Sequence, residues 1–339
     1  MRYVALILAL AVTGAMAESL PVRQETAVPV GIVIHGGAGT INRDHMTVQQ
    51  QQEYQAVLTQ AVEQGYRILE SGGSSMDAVT AAVIVLENSP LFNAGKGAVY
   101  TWDETHELDA SVMDGRDRSA GAVAGVTTVK NPVLLARAVM EKSEHVMLAG
   151  KGAEQFAAEQ KLELVDNNYF GTEFRLEALK RAKQAQQALP HQAAVAYDPA
   201  WKMGTVGAVA IDRQGNLAAA TSTGGMTAKR YGRIGDSPVI GAGNFADNAS
   251  CAVSATGHGE YFIRYQVAAD ICARVKYQGK SAEQAADEVI NQELINIGGT
   301  GGVIVVDPQG NLSWAFNTEG MYRAKRTEGS VTVVEIFRP

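Results

Sequence analysis

Residues 204–226 read GTVGAVAIDRQGNLAAATSTGGM, and residues 300–321 repeat the same pattern as TGGVIVVDPQGNLSWAFNTEGM. Each segment has an apolar run, a D-x-x-G-N turn and a second apolar run. Asp and Gly-Asn at these spacings suit a tight turn between antiparallel strands. The sequence therefore predicts two similar β-hairpins, one in the middle of the chain and one near its end.

Other strand-like runs flank the first hairpin. Residues 28–35 alternate and end at a GGAG loop, and residues 107–113 and 121–129 are apolar in the same way. The second hairpin is expected to close the chain as a final strand pair.

Helical periodicity occupies the segments between the strands. Two predicted helices open with capping boxes, Thr47 with Gln50 and Ser281 with Gln284, and a third starts at Asn131-Pro132. The periodic segments are residues 47–70, 75–87, 151–160, 173–189 and 260–277. Strands and helix pairs alternate in blocks rather than singly, which favours an α+β fold with two sheets packed between helices, a four-layer αββα sandwich.

The composition limits the classes of function. The chain has 339 residues, 46% apolar residues, 35 glycines and a formal net charge of −7. These values are typical of a globular, glycine-rich protein with an ample core. The acidic balance argues against nucleic acid and membrane surfaces as partners, and it says little about the substrate.

The first residues have the three parts of a secretory signal peptide. Arg2 precedes an apolar stretch at residues 4–12 that is too short to span a bilayer, and Ala15-Met16-Ala17 is a small-residue cleavage site. We expect residues 1–17 to be removed and the mature protein to be exported, to a periplasm or outside the cell. The alternative is a buried N-terminal strand or helix.

Several chemical motifs are absent or out of context. The sequence contains no HExxH, no GxSxG and no P-loop. Residues 241–246, GAGNFA, fit a dinucleotide fingerprint, but a small, strand-like stretch follows where a helix is required, which argues against dinucleotide binding. Cys251 and Cys272 have no metal-like spacing and are predicted to be small buried residues. The sequence does not decide whether they pair.

The mid-chain Gly204-Thr205 pair suggests a nucleophile. Residues 186–203 lose all periodicity and are predicted to be an exposed linker. If the bond after Gly204 is cleaved, Thr205 gains an α-amine of pKa about 7.7–8, which can act as the base for its own hydroxyl. Thr300 follows Gly299 and opens the same hairpin pattern, so spacing alone leaves both threonines as candidates.

Longer motifs resemble one family. GTVGAVAID, GNLAAATSTGG, GRIGDSPVIGAG, TGHGE, HGGAG, LFNAGKGAV, ELDASVMDG and AGAVAGV are similar to segments of the plant-type L-asparaginase and isoaspartyl peptidase family, over roughly residues 28–325. The resemblance implies an N-terminal-nucleophile hydrolase with the αββα fold. It implies an α chain of residues 18–204, ordered over 28–185 with a flexible linker at 186–204, and a β chain of residues 205–339. These would form one structural domain, assembled as an (αβ)₂ homo-oligomer.

The same resemblance assigns the site residues. It selects Thr205 over Thr300 as nucleophile and Gly204-Thr205 as the cleavage site, and it implies no catalytic cofactor. The remaining implied roles are a hydroxyl near the nucleophile (Thr223), an oxyanion hole (Thr256 and Gly257), substrate carboxylate and amine binding (Arg233 and Asp236), a substrate loop that also includes Gly259, and an asparagine beside the cleavage site (Asn93).

Some residues near these motifs have implied structural roles or none. Residues 86–96 resemble a loop that holds a structural sodium ion through the backbone carbonyls of Leu86, Glu87, Ser89, Phe92, Ala94 and Lys96. His258 suits the asparaginase and isoaspartyl peptidase branch rather than glycosylasparaginases. His35 is interpreted as a structural loop residue, and Lys229 and Arg230 as solvated.

The expected activity follows from these roles. Thr205 would form an acyl-enzyme with L-asparagine or a β-aspartyl dipeptide and release aspartate. The alternatives are a glycosylasparaginase and a non-catalytic exported ligand-binding relative. The sequence does not rank asparagine against the dipeptides.

Overall fold

The computed structural model describes residues 28–188 and 204–338. The predicted signal peptide and most of the predicted linker, residues 189–203, lie outside these ranges. Residues 186–188 fall in both the helix predicted over residues 173–189 and the predicted linker, and they form the last turn of a helix, because the helical periodicity of the preceding segment runs on to that point.

The strands in the described residues are given in chain order. They are β1 Gly31–Gly39, β2 Leu108–Asp114, β3 Ala120–Val126, β4 Met147–Ala149, β5 Val206–Ile211, β6 Leu217–Thr223, β7 Asn244–Asp247, β8 Cys251–Gly257, β9 Gly301–Val306, β10 Leu312–Phe316, β11 Gly320–Thr327 and β12 Val333–Phe337.

The helices follow the same convention. They are α1 Val48–Glu70, α2 Ser75–Glu87, α3 Pro132–Lys142, α4 Gly150–Glu159, α5 Glu173–Ala188, α6 Gly259–Tyr265, α7 Val267–Gln278, α8 Ala282–Asp287 and α9 Leu294–Asn296, with a π-helical stretch Glu288–Glu293 between the last two. Both predicted capping boxes are formed, at Thr47 and at Ser281.

Two sheets organise the described residues. The larger has the order β12-β11-β1-β5-β6-β2-β3-β4 and the smaller the order β10-β9-β8-β7. Neighbouring strands are antiparallel except for β3 and β4. The predicted hairpins therefore lie in different sheets, β5–β6 at the centre of the larger and β9–β10 in the smaller.

Three apolar clusters separate the layers. α1, α2 and α3 cover one face of the larger sheet, and α7 and α8 cover one face of the smaller sheet. A third cluster, which includes Val33, Val209 and Ile304, fills the space between the sheets. The predicted αββα sandwich is confirmed.

The two hairpin turns are built alike. Asp212 Oδ1 accepts backbone N–H groups of Gln214 and Asn216 at 3.0 and 2.9 Å. Asp307 Oδ1 accepts those of Gln309 and Asn311, both at 2.9 Å. A side chain that satisfies two turn amides stabilises the reversal of the chain, which explains why this pattern occurs twice.

Two predictions about the C-terminal half are wrong. The single helix expected over residues 260–277 is divided at Gln266, which adopts left-handed backbone angles (φ 48°). The break lets the N–H groups of Ala268 and Ala269, at the start of α7, donate to the carbonyls of Ala242 and Gly241. The second hairpin also does not close the chain, because β11 and β12 follow it and return to the larger sheet beside β1.

Cys251 and Cys272 are buried, as predicted, and they are joined by a disulfide. The bond links the start of β8 to α7, so the covalent loop encloses the TGHGE segment. No helix in the described parts of the chain is both long and apolar enough to cross a membrane.

Candidate active site

Thr205 lies immediately before β5, a central strand of the larger sheet, and is buried. Its Oγ1 is 3.2 Å from the hydroxyl of Ser237. Its backbone carbonyl accepts a hydrogen bond of 3.0 Å from Nδ1 of His35 on β1. Both the hydroxyl and the backbone of the predicted nucleophile are therefore held by other elements.

Gly204 is packed against Gly37 so closely that neither position has space for a side chain. A Cβ on Gly204 would lie 2.2 Å from the Cα of Gly37, and Gly37 has a φ of 115°, which favours glycine strongly. The requirement for glycine before Thr205 is thus a matter of space at the predicted cleavage site.

Thr205 opens onto a narrow cleft between the two sheets. The cleft is lined by Thr223, Gly225, Arg233, Asp236, Ser237, Gly257 and His258, together with Gly204 and Thr205. Thr300 does not line it; its carbonyl instead accepts the backbone N–H of His258 at 2.9 Å. The structure therefore places the predicted nucleophile, not its counterpart in the second hairpin, beside the predicted substrate-binding residues.

Thr223 and Asn93 shape the wall of the cleft through Gly225. Thr223 Oγ1 accepts the Gly225 N–H at 3.0 Å, and Asn93 Nδ2 donates to the Gly225 carbonyl at 2.8 Å. Asn93 Oδ1 also accepts the N–H of Val99. Thr223 lines the cleft, whereas Asn93 acts one layer behind it by holding the loop that follows β6.

Arg233 is paired with Glu260. Its Nε donates a hydrogen bond to Glu260 Oε1 and its Nη2 donates one to Oε2, both of 3.0 Å. His258 Nε2 lies 3.1 Å from Glu260 Oε2. These contacts hold the pKa of Glu260 well below its usual range, although its partial burial acts in the opposite direction. The guanidinium is thereby oriented at the edge of the cleft.

Asp236 is a buried carboxyl group. Among the described residues, its Oδ2 has no hydrogen-bond partner. Burial raises the pKa of Asp236 to about 7, against the attraction of the Arg233 charge. An unpaired, desolvated carboxyl at the cleft has a strong affinity for a cation that can replace its lost hydration.

Thr256 and Gly257 end β8; Gly257 lines the cleft with Thr205, whereas Thr256 is fully buried and does not line it. Thr256 Oγ1 accepts the N–H of Ala38 at 3.3 Å, which leaves its own proton to donate. Gly257 has a φ of 153°, and a Cβ there would lie 2.4 Å from the Thr300 carbonyl oxygen. At Gly259 a Cβ would lie 2.8 Å from Asp236 Oδ1, so this glycine gives the predicted substrate-binding carboxyl its room.

Three residues near the site were missed or misinterpreted from the sequence. Ser237 follows Asp236 directly and could have been found as a second hydroxyl in the GRIGDS motif. His35 is not a loop residue but a fully buried member of β1, because the strand continues through the GGAG segment to Gly39. Glu260 had only its place in the TGHGE motif as a signal.

The prediction that Lys229 is solvated is wrong. Its side chain is buried. Nζ donates a 2.9 Å hydrogen bond to the backbone carbonyl of Glu107 and lies 3.5 Å from the carboxylate of the same residue. Arg230 is half-buried, with its guanidinium carbon 3.3 Å from the centre of the Trp102 ring. Both side chains are placed by contacts that the local sequence does not reveal.

A buried threonine hydroxyl at the start of a central strand, in an αββα sandwich, shares its cleft with an arginine and with an aspartate whose Oδ2 has no hydrogen-bond partner among the described residues. This arrangement defines a hydrolase of the N-terminal-nucleophile class. The family model described as asparaginase matches residues 28–336. The chain belongs to this asparaginase family.

Relatives with similar lengths share much of the sequence. The chain is 53% identical over 307 residues to isoaspartyl peptidase from Escherichia coli (strain K12), covering 91% of this chain and 96% of that one. It is 54% identical over 308 residues to isoaspartyl peptidase from Salmonella typhimurium, with coverage of 91% and 98%. It is 42% identical over 306 residues to human isoaspartyl peptidase/L-asparaginase, with coverage of 89% and 94%.

Proposed function

We propose that this protein hydrolyses β-aspartyl (isoaspartyl) dipeptides and L-asparagine to aspartate, through an acyl-enzyme on Thr205. The observation that carries the proposal is that Thr205, Arg233 and Asp236 line one cleft, and that Oδ2 of Asp236 has no hydrogen-bond partner among the described residues. The names of the relatives favour these substrates over those of a glycosylasparaginase.

The nucleophile would be generated by cleavage of the chain itself. The Thr205 hydroxyl attacks the carbonyl carbon of Gly204 and forms an ester at Oγ1, while the bond from that carbon to the peptide nitrogen breaks. The nitrogen takes the hydroxyl proton and leaves as the α-amine of Thr205. Water then hydrolyses the ester, which frees Gly204 as a carboxylate. The tight packing of Gly204 against Gly37 supports this step, because it holds the scissile bond in one conformation.

The substrate's free amino-acid end would be recognised by two charges. A guanidinium donates paired hydrogen bonds to a planar carboxylate, which suits Arg233. Asp236 would accept the substrate ammonium and gain the partner that its buried Oδ2 lacks among the described residues. These contacts place the side-chain carbonyl of the substrate toward Thr205.

Hydrolysis would then proceed in two halves. The α-amine of Thr205 takes the proton of its own hydroxyl as Oγ1 bonds to the substrate carbonyl carbon, and the tetrahedral oxyanion is stabilised by the Thr256 hydroxyl and the Gly257 N–H. Collapse of this intermediate releases ammonia or an amino acid, which carries away the proton. Water then attacks the ester and the α-amine accepts its proton; the α-amine passes this proton to Oγ1 as the ester C–O bond breaks, and aspartate leaves.

A structural sodium ion at residues 86–96 is part of the proposal. A Cβ on Gly97 would lie 2.5 Å from the Pro90 carbonyl oxygen and 2.7 Å from that of Phe92, so carbonyl oxygens converge there, and such oxygens suit a hard cation. The ion would order the loop behind Asn93 and take no part in bond making. Its proposed ligands are the backbone carbonyls of Leu86, Glu87, Ser89, Phe92, Ala94 and Lys96.

Export and assembly as (αβ)₂ are also proposed. The signal-like residues 1–17 support export, and the disulfide between Cys251 and Cys272 is consistent with an oxidising compartment such as the periplasm or the cell exterior. N-terminal sequencing of the protein secreted by its host, which should begin near residue 18, tests the first part, and sedimentation tests the second.

A pair of matched variants tests the nucleophile. Intact mass spectrometry of the wild type should give two chains, the smaller beginning at Thr205. Thr205→Ala should stay a single chain without activity toward either substrate. Thr300→Ala, at the matching position of the other hairpin, should cleave and turn over like the wild type. An active Thr205→Ala protein, or a break before Thr300, would overturn the proposal.

A further inference from the structure

Three neighbouring strands align His35, Gly207 and Thr221 in one row across the larger sheet. His35 of β1 is paired with Gly207 of β5, and Gly207 is paired with Thr221 of β6. A Cβ on Gly207 would lie 2.0 Å from Ser254 Oγ and 2.6 Å from His35 Nε2. The missing side chain at the middle of the row therefore makes room for a polar contact between the sheets.

Ser254, on β8 of the smaller sheet, fills that room. Its Oγ is 2.9 Å from His35 Nε2 and 2.8 Å from Thr221 Oγ1. All three side chains are fully buried. Buried polar groups stabilise one arrangement only when each is hydrogen-bonded, so this cluster acts as a specific bridge between the two sheets.

The direction of the hydrogen bonds follows from Thr205. Its carbonyl can only accept, so His35 Nδ1 carries the proton and Nε2 must accept the hydroxyl proton of Ser254. Burial lowers the pKa of His35 to about 3, which keeps the imidazole neutral and this order of hydrogen bonds unchanged near neutral pH. The ring is thus a rigid spacer rather than an acid or a base.

The bridge connects the nucleophile to the strand that carries the predicted oxyanion-binding residue. One end is the backbone of Thr205. The other, Ser254, is two residues before Thr256 on β8, and both side chains point to the same face of that strand. β1 also reaches Thr256 directly through the N–H of Ala38. The same strand therefore contacts both the nucleophile and the oxyanion-binding residue.

We propose that His35, with Ser254, is a positioning residue that sets the placement of Thr205 relative to Thr256 across the two sheets. The proposal rests on the proposed function. After cleavage Thr205 would have no preceding residue, and the hydrogen bond from His35 to its carbonyl would still hold its backbone. Displacements of about 1 Å at a reaction centre can lower rates about 100-fold.

Four variants separate positioning from stability. His35→Leu removes both hydrogen bonds, His35→Asn restores an amide N–H near the position of Nδ1, and Ser254→Ala removes only the far hydroxyl. Val33→Ala is the matched control, because Val33 is buried on the same face of β1 two residues earlier but packs in the apolar cluster between the sheets. Melting temperature, extent of cleavage, and kcat and KM per cleaved β chain are measured for each.

We expect His35→Leu to lower kcat by about 10- to 100-fold with KM within about twofold, since geometry and not binding is lost. His35→Asn should recover a measurable part of kcat. Ser254→Ala should lower kcat by about 3- to 10-fold, and adding it to His35→Leu should lower kcat no further, because it acts through the imidazole. Val33→Ala should lose thermal stability and keep kcat within about twofold.

Three results would overturn the inference. The first is a kcat within twofold of wild type in Ser254→Ala, and the second is additive losses of kcat in the Ser254→Ala, His35→Leu double variant. The third is a loss of kcat in Val33→Ala as large as in a His35 variant of the same melting temperature. Ser254→Ala also covers the case in which the His35 variants do not fold. Absence of turnover in the wild type would refute the proposed function instead, which keeps the two failures distinct.

Discussion

The guanidinium of Arg233 donates two 3.0 Å hydrogen bonds, from Nε and Nη2, to the two carboxylate oxygens of Glu260. This pairing occupies one edge of the guanidinium and directs the edge that bears Nη1 elsewhere. We interpret Glu260 as the residue that orients Arg233 for a substrate carboxylate.

Glu260→Gln should therefore raise KM for a β-aspartyl dipeptide by about two- to fivefold, the effect of losing a partly exposed ion pair, and leave kcat within about twofold. Steady-state kinetics measures both. Glu283→Gln makes the same change of charge on exposed α8 and should change neither. A lower KM in Glu260→Gln would show that Glu260 competes with the substrate carboxylate.

Asp236 should make substrate binding pH-dependent. Burial raises its pKa to about 7, so the carboxyl becomes neutral as pH falls below that value and loses its attraction for the substrate ammonium. KM should rise as pH is lowered from about 8 to about 6. Asp236→Asn should have a high KM that is nearly constant over this range; a wild-type KM that is independent of pH would contradict this role.

The same carboxyl should make the stability of the fold depend on pH. Because the pKa of Asp236 is raised in the folded state from 3.8 to about 7, its contribution is most favourable below about pH 4 and is lost as pH rises through 7. Asp236→Asn should therefore melt a few degrees above wild type at pH 8 and close to it at pH 4. Thermal unfolding at both pH values, with the exposed Asp287→Asn as control, checks this; equal shifts at both would be inconsistent with it.

Ser237 should assist the nucleophile through its hydroxyl, which lies 3.2 Å from Thr205 Oγ1. Ser237→Ala removes one hydrogen-bond partner of the nucleophile and should lower kcat by about 10-fold, the order of one net hydrogen bond. Ser237→Thr retains the hydroxyl and should recover most of the rate. If the alanine and threonine variants lose equal activity, packing and not the hydroxyl is the cause.

The disulfide should stabilise the segment that carries Thr256 and Gly257. Cys251 and Cys272 are separated by 21 residues, and a covalent loop of that length contributes about 3 kcal/mol in the chain-entropy description. A Cys251→Ala, Cys272→Ala double variant should unfold at a lower denaturant concentration than the oxidised wild type. Reductant should destabilise the wild type and leave the double variant unchanged; the reverse pattern would exclude a stabilising bond.

Local sequence patterns predicted most helices, strands and turns, because these depend on residues close together in the chain. The turn aspartates, the capping boxes at Thr47 and Ser281 and the 3.6-residue periodicity of α1 and α2 all act within a few residues, so they are visible in the sequence. The boundary of α6 was not visible, because the backbone of Gln266 is held in its left-handed conformation by a helix start that bonds to the distant carbonyls of Gly241 and Ala242.

Long-range contacts place the predicted site residues in the fold. Residue patterns alone did not separate Thr205 from Thr300, since both follow glycine and open the same hairpin. The sheets separate them: β5 lies at the centre of the larger sheet beside β1, whereas the hairpin after Thr300 lies in the smaller one. Lys229 was expected in solvent because it is charged, yet the fold offers its ammonium the carbonyl of Glu107.

The sequence by itself determined the periodicity of the helices and strands and the turns of the two hairpins. Through its resemblance to one family it also gave an expected chemistry for the GTVG, GRIGD and TGHGE motifs. Only the tertiary structure showed that the absence of a side chain at Gly207 lets His35 contact Ser254. It also showed that Asp236 is buried with one oxygen unpaired among the described residues, and that Glu260 is hydrogen-bonded to Arg233. Periodicity and turns depend on neighbours along the chain, whereas burial and hydrogen bonding of these side chains depend on which distant strands pack together.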